Sequence, residues 1–206
     1  IIKNIIDLAF KEDIGNGDLT SEAVIPPETQ FSGTMTAREK MVCAGLPIAE
    51  YAFTQSSPAI KWKANTVDGD TVNPGHELAY IEGPAVDLLA VERTAINILQ
   101  HLSGIATLTR LYVNEIADLN TTLLDTRKTI PVFRHLAKYA TRVGGATNHR
   151  MSLDDGILIK DNHIAVSGGI TQAIQQAKSK GLKKIEVECD TLEQVQEALD
   201  AGADMI

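Results

Sequence analysis

Arg127 and Lys128 stand side by side in the stretch DTRKT, Asp125 to Thr129, directly behind the apolar run Thr122-Leu123-Leu124. That run reads as a buried strand, and a strand end is a rigid mount for two cations, suited to holding an anion. Two more charged residues take equivalent places: Lys160 ends GILIK and Glu188 ends KKIEVE. In successive strand–helix units, functional side chains gather at the carboxyl ends of the strands, so these residues are expected to converge on one rim. Strand-end charge is ordinarily solvated. Its recurrence at three strands points instead to function.

The charge balance agrees. The chain of 206 residues carries a net charge of −8, which argues against a nucleic-acid partner. Between Thr121 and His163, however, seven Lys or Arg face four Asp, a surplus of three cations where an anionic small molecule could be focused. With 44% hydrophobic and 22% charged residues, the composition is that of a globular protein with one or two cored domains. No apolar run approaches the roughly 18 residues that span a bilayer. Cys43 and Cys189 lack metal-ligand spacing, and a reduced cytoplasmic location is expected. The absence of an initiator Met predicts that residues are missing upstream.

The elements that must position these residues fall into two halves. IIKNIIDLAF reads as an amphipathic helix. QFSGTMTA alternates loosely, and IKWKA alternates strictly with Ile60, Trp62 and Ala64 on one face. Turns are expected at Asp68-Gly69 and Pro74-Gly75. Pro84 is placed at the first position of a helix with an apolar stripe of Leu88, Val91, Ala95, Ile98, Leu99 and Leu102. A break at Ser103-Gly104 then precedes a second helix, with Leu108, Leu111, Tyr112 and Ile116 inward. From Thr121 the pattern becomes strand–helix alternation. TLLD precedes a helix led by Pro131, and GILIK precedes ITQAIQQAKSKG, stopped by Gly181. KKIEVE precedes TLEQVQEALDAG, with Thr191 as N-cap, Gln194 completing a capping box and Gly202 as the stop. DMI begins another strand. Repeated βα units imply a parallel sheet, doubly wound or closed as a barrel.

Together with VGGATNHR (Val143 to Arg150), KDNHIAVSGG (Lys160 to Gly169), ERTAINILQHLSGIAT and VECDTLEQVQEALDAGADMI, these residues resemble the quinolinate phosphoribosyltransferases. The resemblance runs along nearly the whole chain. It implies an α/β fold with an N-terminal α/β sandwich domain (1–102) and an incomplete α/β barrel of the type II phosphoribosyltransferases (103–206). The implied reaction joins quinolinate to 5-phosphoribosyl-1-pyrophosphate with Mg2+, giving nicotinate mononucleotide, pyrophosphate and CO2, a step of NAD biosynthesis. By motif, Arg127, His149 and Arg150 would hold the quinolinate carboxylates, with Arg93 of ERT supplied by the other subunit of a homodimer. Lys128 and Lys160 would serve the pyrophosphate and the shared anionic centre. Glu188 would face the ribose hydroxyls and metal-bound water. The residue types suit the chemistry, since Arg grips planar carboxylates in a two-pronged way and Lys meets phosphate as a compact charge.

The family places a catalytic Asp and the loops for the ribose 5-phosphate beyond AGADMI, where this chain stops, so a truncated chain is expected. The residues also admit other readings. Lys160 at a strand end also suits a Schiff-base lysine. DGDTVNPGHELAYIEG is similar to the hairpin of biotinyl and lipoyl carriers but has no lysine at its turn. His163 with Asp161 could ligate a metal, although a hydrogen-bonded loop histidine is commoner. His101 and His135 are expected to pack on helices, and Cys189 to point away from Glu188 into the core. A non-decarboxylating nicotinate transferase, which needs fewer cations, and a molybdate-operon homologue remain alongside the main reading.

Overall fold

A computed structural model describes all 206 residues, and the chain divides into two compact units, Ile1–His149 and Arg150–Ile206. The first unit opens with the expected amphipathic helix α1 (Ile2–Asp13), anchored by the fully buried Ile6. Helix α2 (Leu19–Val24) is N-capped by Asp18, whose carboxylate accepts from the backbone N–H groups of Thr20 and Ser21. An antiparallel sheet follows, with β5 (Glu77–Pro84) between β1 (Gln30–Thr36) and β3 (Lys61–Ala64). The short strands β2 (Met41–Val42) and β4 (Thr71–Val72) pair separately. Both expected turns form, with Gly69 and Gly75 at positive φ. Of the IKWKA face, Ile60 is buried and Trp62 half-buried against Phe53, but Ala64 is exposed at the last pair of an edge strand.

Helix α3 (Leu46–Ser56) follows Gly45, where a Cβ would meet Leu102 at 2.9 Å. Its first N–H groups are satisfied from a distance, as the Asp68 carboxylate accepts from Gly45 N at 2.7 Å and Leu46 N at 3.0 Å. The expected break at Ser103-Gly104 is absent. One helix, α4 (Ala85–Glu115), runs for 31 residues, with Pro84 ending β5 as its N-cap and not as its first residue. Ser103 stays helical because its hydroxyl is used sideways: it accepts from Ala44 N at 3.1 Å and donates to Ala44 O at 3.3 Å. One turn on, Thr107 accepts from Val42 N at 2.8 Å. The helix thereby satisfies the backbone of Val42 in β2 and of Ala44 just past it. The buried face continues through Leu102, Ser103, Ala106 and Thr109, so Leu108, Leu111 and Tyr112 lie on the opposite side, exposed and not inward as expected.

Helix α5 (Arg134–Gly144) begins three residues after Pro131, because residues 130–133 form a turn in which Val132 takes φ 68°. Its Leu136 and Ala140 enter the same core as α3 and α4. Gly144 permits close approach, since a Cβ there would sit 2.6 Å from Thr109 Cβ. Arg110 donates to the carbonyls of Gly144 and Val143, closing the helix end. The compact units divide at 149/150, while the expected domain boundary at 102/103 lies along the continuous helix α4. TLLD forms no extended strand; Leu124 makes a single parallel bridge with Thr147.

The second unit is the βα succession itself. Strand β6 (Ile157–Ile159) runs parallel to β7 (Ile185–Val187), and Met205 bridges to the far side of Glu186. Between the strands lie α6 (Asp161–Ser167), unforeseen within KDNHIAVSGG, and α7 (Ile170–Ser179); α8 (Leu192–Asp200) follows β7. Gly168 and Gly169, both at positive φ, separate α6 from α7. Thr191 and Gln194 form the expected capping box of α8, and Gly181 and Gly202 take left-handed φ after their helices. Ile159, Ile170, Ile174, Ile185 and Val187 make the core.

The role of Ser103 is directly testable. Ser103→Ala leaves the buried Ala44 N–H without its acceptor and is expected to cost about 1–3 kcal/mol in urea unfolding. A helix break at this position would instead tolerate Ala with a gain.

Candidate functional site

The DTRKT and NHR stretches meet at one carboxylate. Asp125 Oδ1 accepts from Lys138 Nζ at 2.7 Å and from His149 N at 2.8 Å; Oδ2 accepts from Asn148 Nδ2 at 2.6 Å and Thr141 Oγ1 at 3.2 Å. Lys138 also donates to His149 O at 2.7 Å. The Asp125–Lys138 pair is nearly solvent-free, with 6% and 2% side-chain exposure. Removing one partner of such a pair typically costs about 3–5 kcal/mol, because it strands the other charge. Asp125 and His149 are 24 residues apart, and this network fixes the backbone of both.

Arg127 follows two residues later and is half-buried. Its Nε–H is buried with no acceptor, while its carbonyl accepts from Thr129 N at 3.0 Å. Lys128 is exposed and lines a cavity of about 370 Å³ with His101, Thr126, Ile130, Phe133 and Lys138. The expectation that His101 and His135 pack inside is not met. Both are exposed, and His101 makes only an edge-on contact with the Phe133 ring at 5.4 Å.

In the second unit Lys160 and Glu188, from the ends of neighbouring parallel strands, form an ion pair. Both side chains keep substantial exposure, 36% and 52%. Arg150 donates to Gly156 O at 2.9 Å. His163 accepts from Lys160 N through Nδ1 at 3.0 Å, the hydrogen-bonded state, and holds the Lys160 backbone at the start of α6. Cys189 packs on the core as expected, and burial raises its thiol above its ordinary value. Burial, reinforced by Asp68 and Asp70, pushes the Cys43 thiol up to about 12, so it is no nucleophile at neutral pH.

Arg93 is not brought to these residues. It is exposed on α4 and lines a cleft of about 880 Å³ with Phe31, Arg38, Glu39 and Gln100, none of them in the 125–149 stretch. Sequence reasoning missed Asp125, Lys138, Thr141 and Asn148 as parts of the site. Lys138 was visible only as one of the seven cations between Thr121 and His163. Its burial follows from the contact of α5 with the 125 and 148 loops, which helical spacing does not report.

Comparison with known proteins gives the geometry a lineage. Residues 18–103 match the family described as quinolinate phosphoribosyl transferase, N-terminal domain, and residues 105–206 its C-terminal domain. The chain belongs to the quinolinate phosphoribosyltransferase family. The reaction expected from the sequence goes with that membership. The chain is 42% identical to a probable nicotinate-nucleotide pyrophosphorylase [carboxylating] of Bacillus subtilis (strain 168), covering 100% of this chain and 71% of that protein. It is 37% identical to quinolinate phosphoribosyltransferase [decarboxylating] 1b of Nicotiana tabacum, covering 97% of this chain and 58% of that protein. Among solved structures, NadC from Streptococcus pyogenes superposes with a TM-score of 0.93 at 39% identity, over 98% of this chain and 73% of that one. Nicotinate-nucleotide pyrophosphorylase from Ehrlichia chaffeensis gives 0.95 at 40% identity, over 99% and 75%. The α/β architecture is thus that of the quinolinate phosphoribosyltransferase family. No helix is long and apolar enough to cross a membrane.

Within the family reading, the Lys160–Glu188 pair yields a sharp expectation. An ion pair this exposed contributes at most about 1 kcal/mol. Lys160→Met in the full-length protein should leave the unfolding midpoint nearly unchanged, while turnover with quinolinate falls by about 10²-fold or more. A large loss of stability with normal turnover per folded molecule would assign the pair to the fold instead.

Proposed function

We propose that Arg127, His149 and Arg150 bind the carboxylates of quinolinate, and that Lys128, Lys160 and Glu188 bind 5-phosphoribosyl-1-pyrophosphate. The ring nitrogen then attacks the ribose C1 as pyrophosphate leaves. Loss of the carboxylate beside the now cationic nitrogen gives CO2 and a carbanion, which that nitrogen stabilises and a proton quenches, leaving nicotinate mononucleotide. No covalent nucleophile is required, so the chain contributes positioning and electrostatics. The observation that carries this reading is the buried, unpartnered Nε–H of Arg127. An orphaned charged donor is costly in a resting fold, and a planar carboxylate is its natural acceptor.

Mg2+ is proposed to arrive with the pyrophosphate substrate. No group of three or more His, Cys, Asp or Glu side chains stands together as a metal cage. A hard cation that keeps its waters and takes substrate phosphate oxygens suits this donor set, with Glu188 reached through water. Bound there, it would offset phosphate charge. The free cysteines suit the cytoplasm expected from the sequence.

Arg93 is proposed to act in the partner's site of a homodimer. It lies on α4 at a cleft whose lining excludes the 125–149 loops, so a neighbouring chain is the simpler source of this cation for each site. A symmetric dimer makes such a contact twice.

Two measurements address these readings. The cluster holds more cations than one carboxylate needs, so quinolinate should bind about ten- to over a hundredfold tighter than nicotinate, the loss of one charge-assisted hydrogen bond being about 1.5–3 kcal/mol. Equal calorimetric affinities would remove the two-carboxylate assignment. For the dimer, full-length Arg93→Ala and Lys128→Ala proteins, each nearly inactive, are mixed by co-refolding. Hybrid dimers should restore roughly a quarter of all sites. Inactive mixtures with hybrids verified by mass would rule out a site shared between subunits.

A further inference from the structure

Lys138 is buried to 1% exposure on α5, and nothing in the proposed chemistry uses its charge. A lysine ammonium in such a place is retained only if its partners satisfy it. The partners named above are informative: Asp125, which opens the DTRKT stretch, and the carbonyl of His149 in NHR. Asp125 in turn accepts from the His149 N–H. The His149 residue is therefore held at both its donor and its acceptor by one ion pair. Asn148 closes the arrangement, donating to Asp125 Oδ2 at 2.6 Å and Lys138 O at 2.8 Å.

We propose that the buried Lys138–Asp125 pair is the positioning device that sets the spacing between Arg127 and His149, and so the selectivity for a dicarboxylate. The proposal rests on the quinolinate reading above and deepens it. Arg127 lies two residues past Asp125, a reach of at most about 7 Å, so it follows any displacement of that carboxylate. Past Asp125 the loop is held by Lys128 N to Thr126 Oγ1 at 3.1 Å and by Thr129 N to Arg127 O at 3.0 Å. Arg134 of the same helix α5 donates to Thr129 Oγ1 at 3.2 Å and to Arg127 O at 3.5 Å, so Lys138 and Arg134 tie this loop to one helix. A second carboxylate is recognised only if two donors from separate loops keep a fixed distance. Lys138 and Asp125 touch both loops, and they do so away from solvent, where water cannot loosen the pair.

The test uses the full-length protein, with calorimetric affinities for quinolinate and nicotinate and steady-state kinetics for wild type, Lys138→Met and Thr141→Val. Wild type is expected to prefer quinolinate; if it shows neither preference nor turnover, the functional reading fails, whatever the variants do. Given a wild-type preference, Lys138→Met should lower the quinolinate-to-nicotinate preference tenfold or more and raise KM for quinolinate by a similar factor. A purely structural role for Lys138 lowers the folded, active fraction and leaves both the preference and KM of the remaining molecules unchanged. That outcome overturns the proposal. Thr141→Val removes a hydroxyl shared between Asp125 Oδ2 at 3.2 Å and the Lys138 carbonyl at 2.9 Å and keeps shape and charge, so it reads the same property if Lys138→Met does not fold. It should lower the preference two- to fivefold, and a wild-type preference in folded Thr141→Val then overturns the proposal.

Discussion

Four donors converge on the Asp125 carboxylate: an ammonium, an amide side chain, a hydroxyl and a backbone N–H. A buried carboxylate tolerates its loss of water only when its lone pairs are taken up in this way. The requirement is reciprocal, because Lys138 is as buried as its partner and needs the Asp125 oxygen and the His149 carbonyl. Each group is stable only while the others hold their places. Two loops far apart in sequence are thereby locked to one helix, and the candidate anion-binding residues stand on those loops.

The lock depends in turn on where α5 lies. Its Leu136 and Ala140 share the core of α3 and α4, and Gly144 lets its end approach Thr109 without a Cβ in the way. Next to Lys138, Tyr139 donates to Asp68 Oδ2 at 2.5 Å, and Asp68 also caps α3. Burial and the Asp68 carboxylate both raise the Tyr139 phenol, so it remains a proton donor across the physiological range. Consecutive residues of one helix thus tie the candidate site on one side and the N-terminal helix layer on the other. This is the structural sense in which Ile1–His149 forms one unit.

The second unit works by a different principle. Lys160 and Glu188 sit at the ends of parallel strands and pair in partial exposure, where an ion pair adds at most about 1 kcal/mol. Their constraint is backbone register: Ile159 pairs with Val187, and Glu188 N donates to Ile159 O at 2.9 Å. The His163 ring accepting the Lys160 N–H fixes the lysine's exit angle. Charge is held by main-chain geometry here, and by side-chain burial in the first unit.

Local rules accounted for much of what was legible in the sequence. The Thr191–Gln194 capping box, the glycine stops and the turns at Gly69 and Gly75 depend on neighbours within a few residues, and they formed as read. So did the βα alternation from Ile157 onward apart from the added α6, whereas TLLD did not form the strand read there. The family motifs were legible because their residue types are dictated by an anionic chemistry. What the sequence could not determine were relations decided by distant partners. Ser103 looked like a helix breaker until the Ala44 backbone, just past β2, turned its hydroxyl to use; α4 runs on unbroken, and Leu108, Leu111 and Tyr112 lie outward. Lys138, on α5, was in sequence only one of the seven cations between Thr121 and His163. Only the packing of that helix against two loops gave it a buried carboxylate to neutralise, because the burial of a charge depends on what the rest of the chain brings to it and not on the residues beside it.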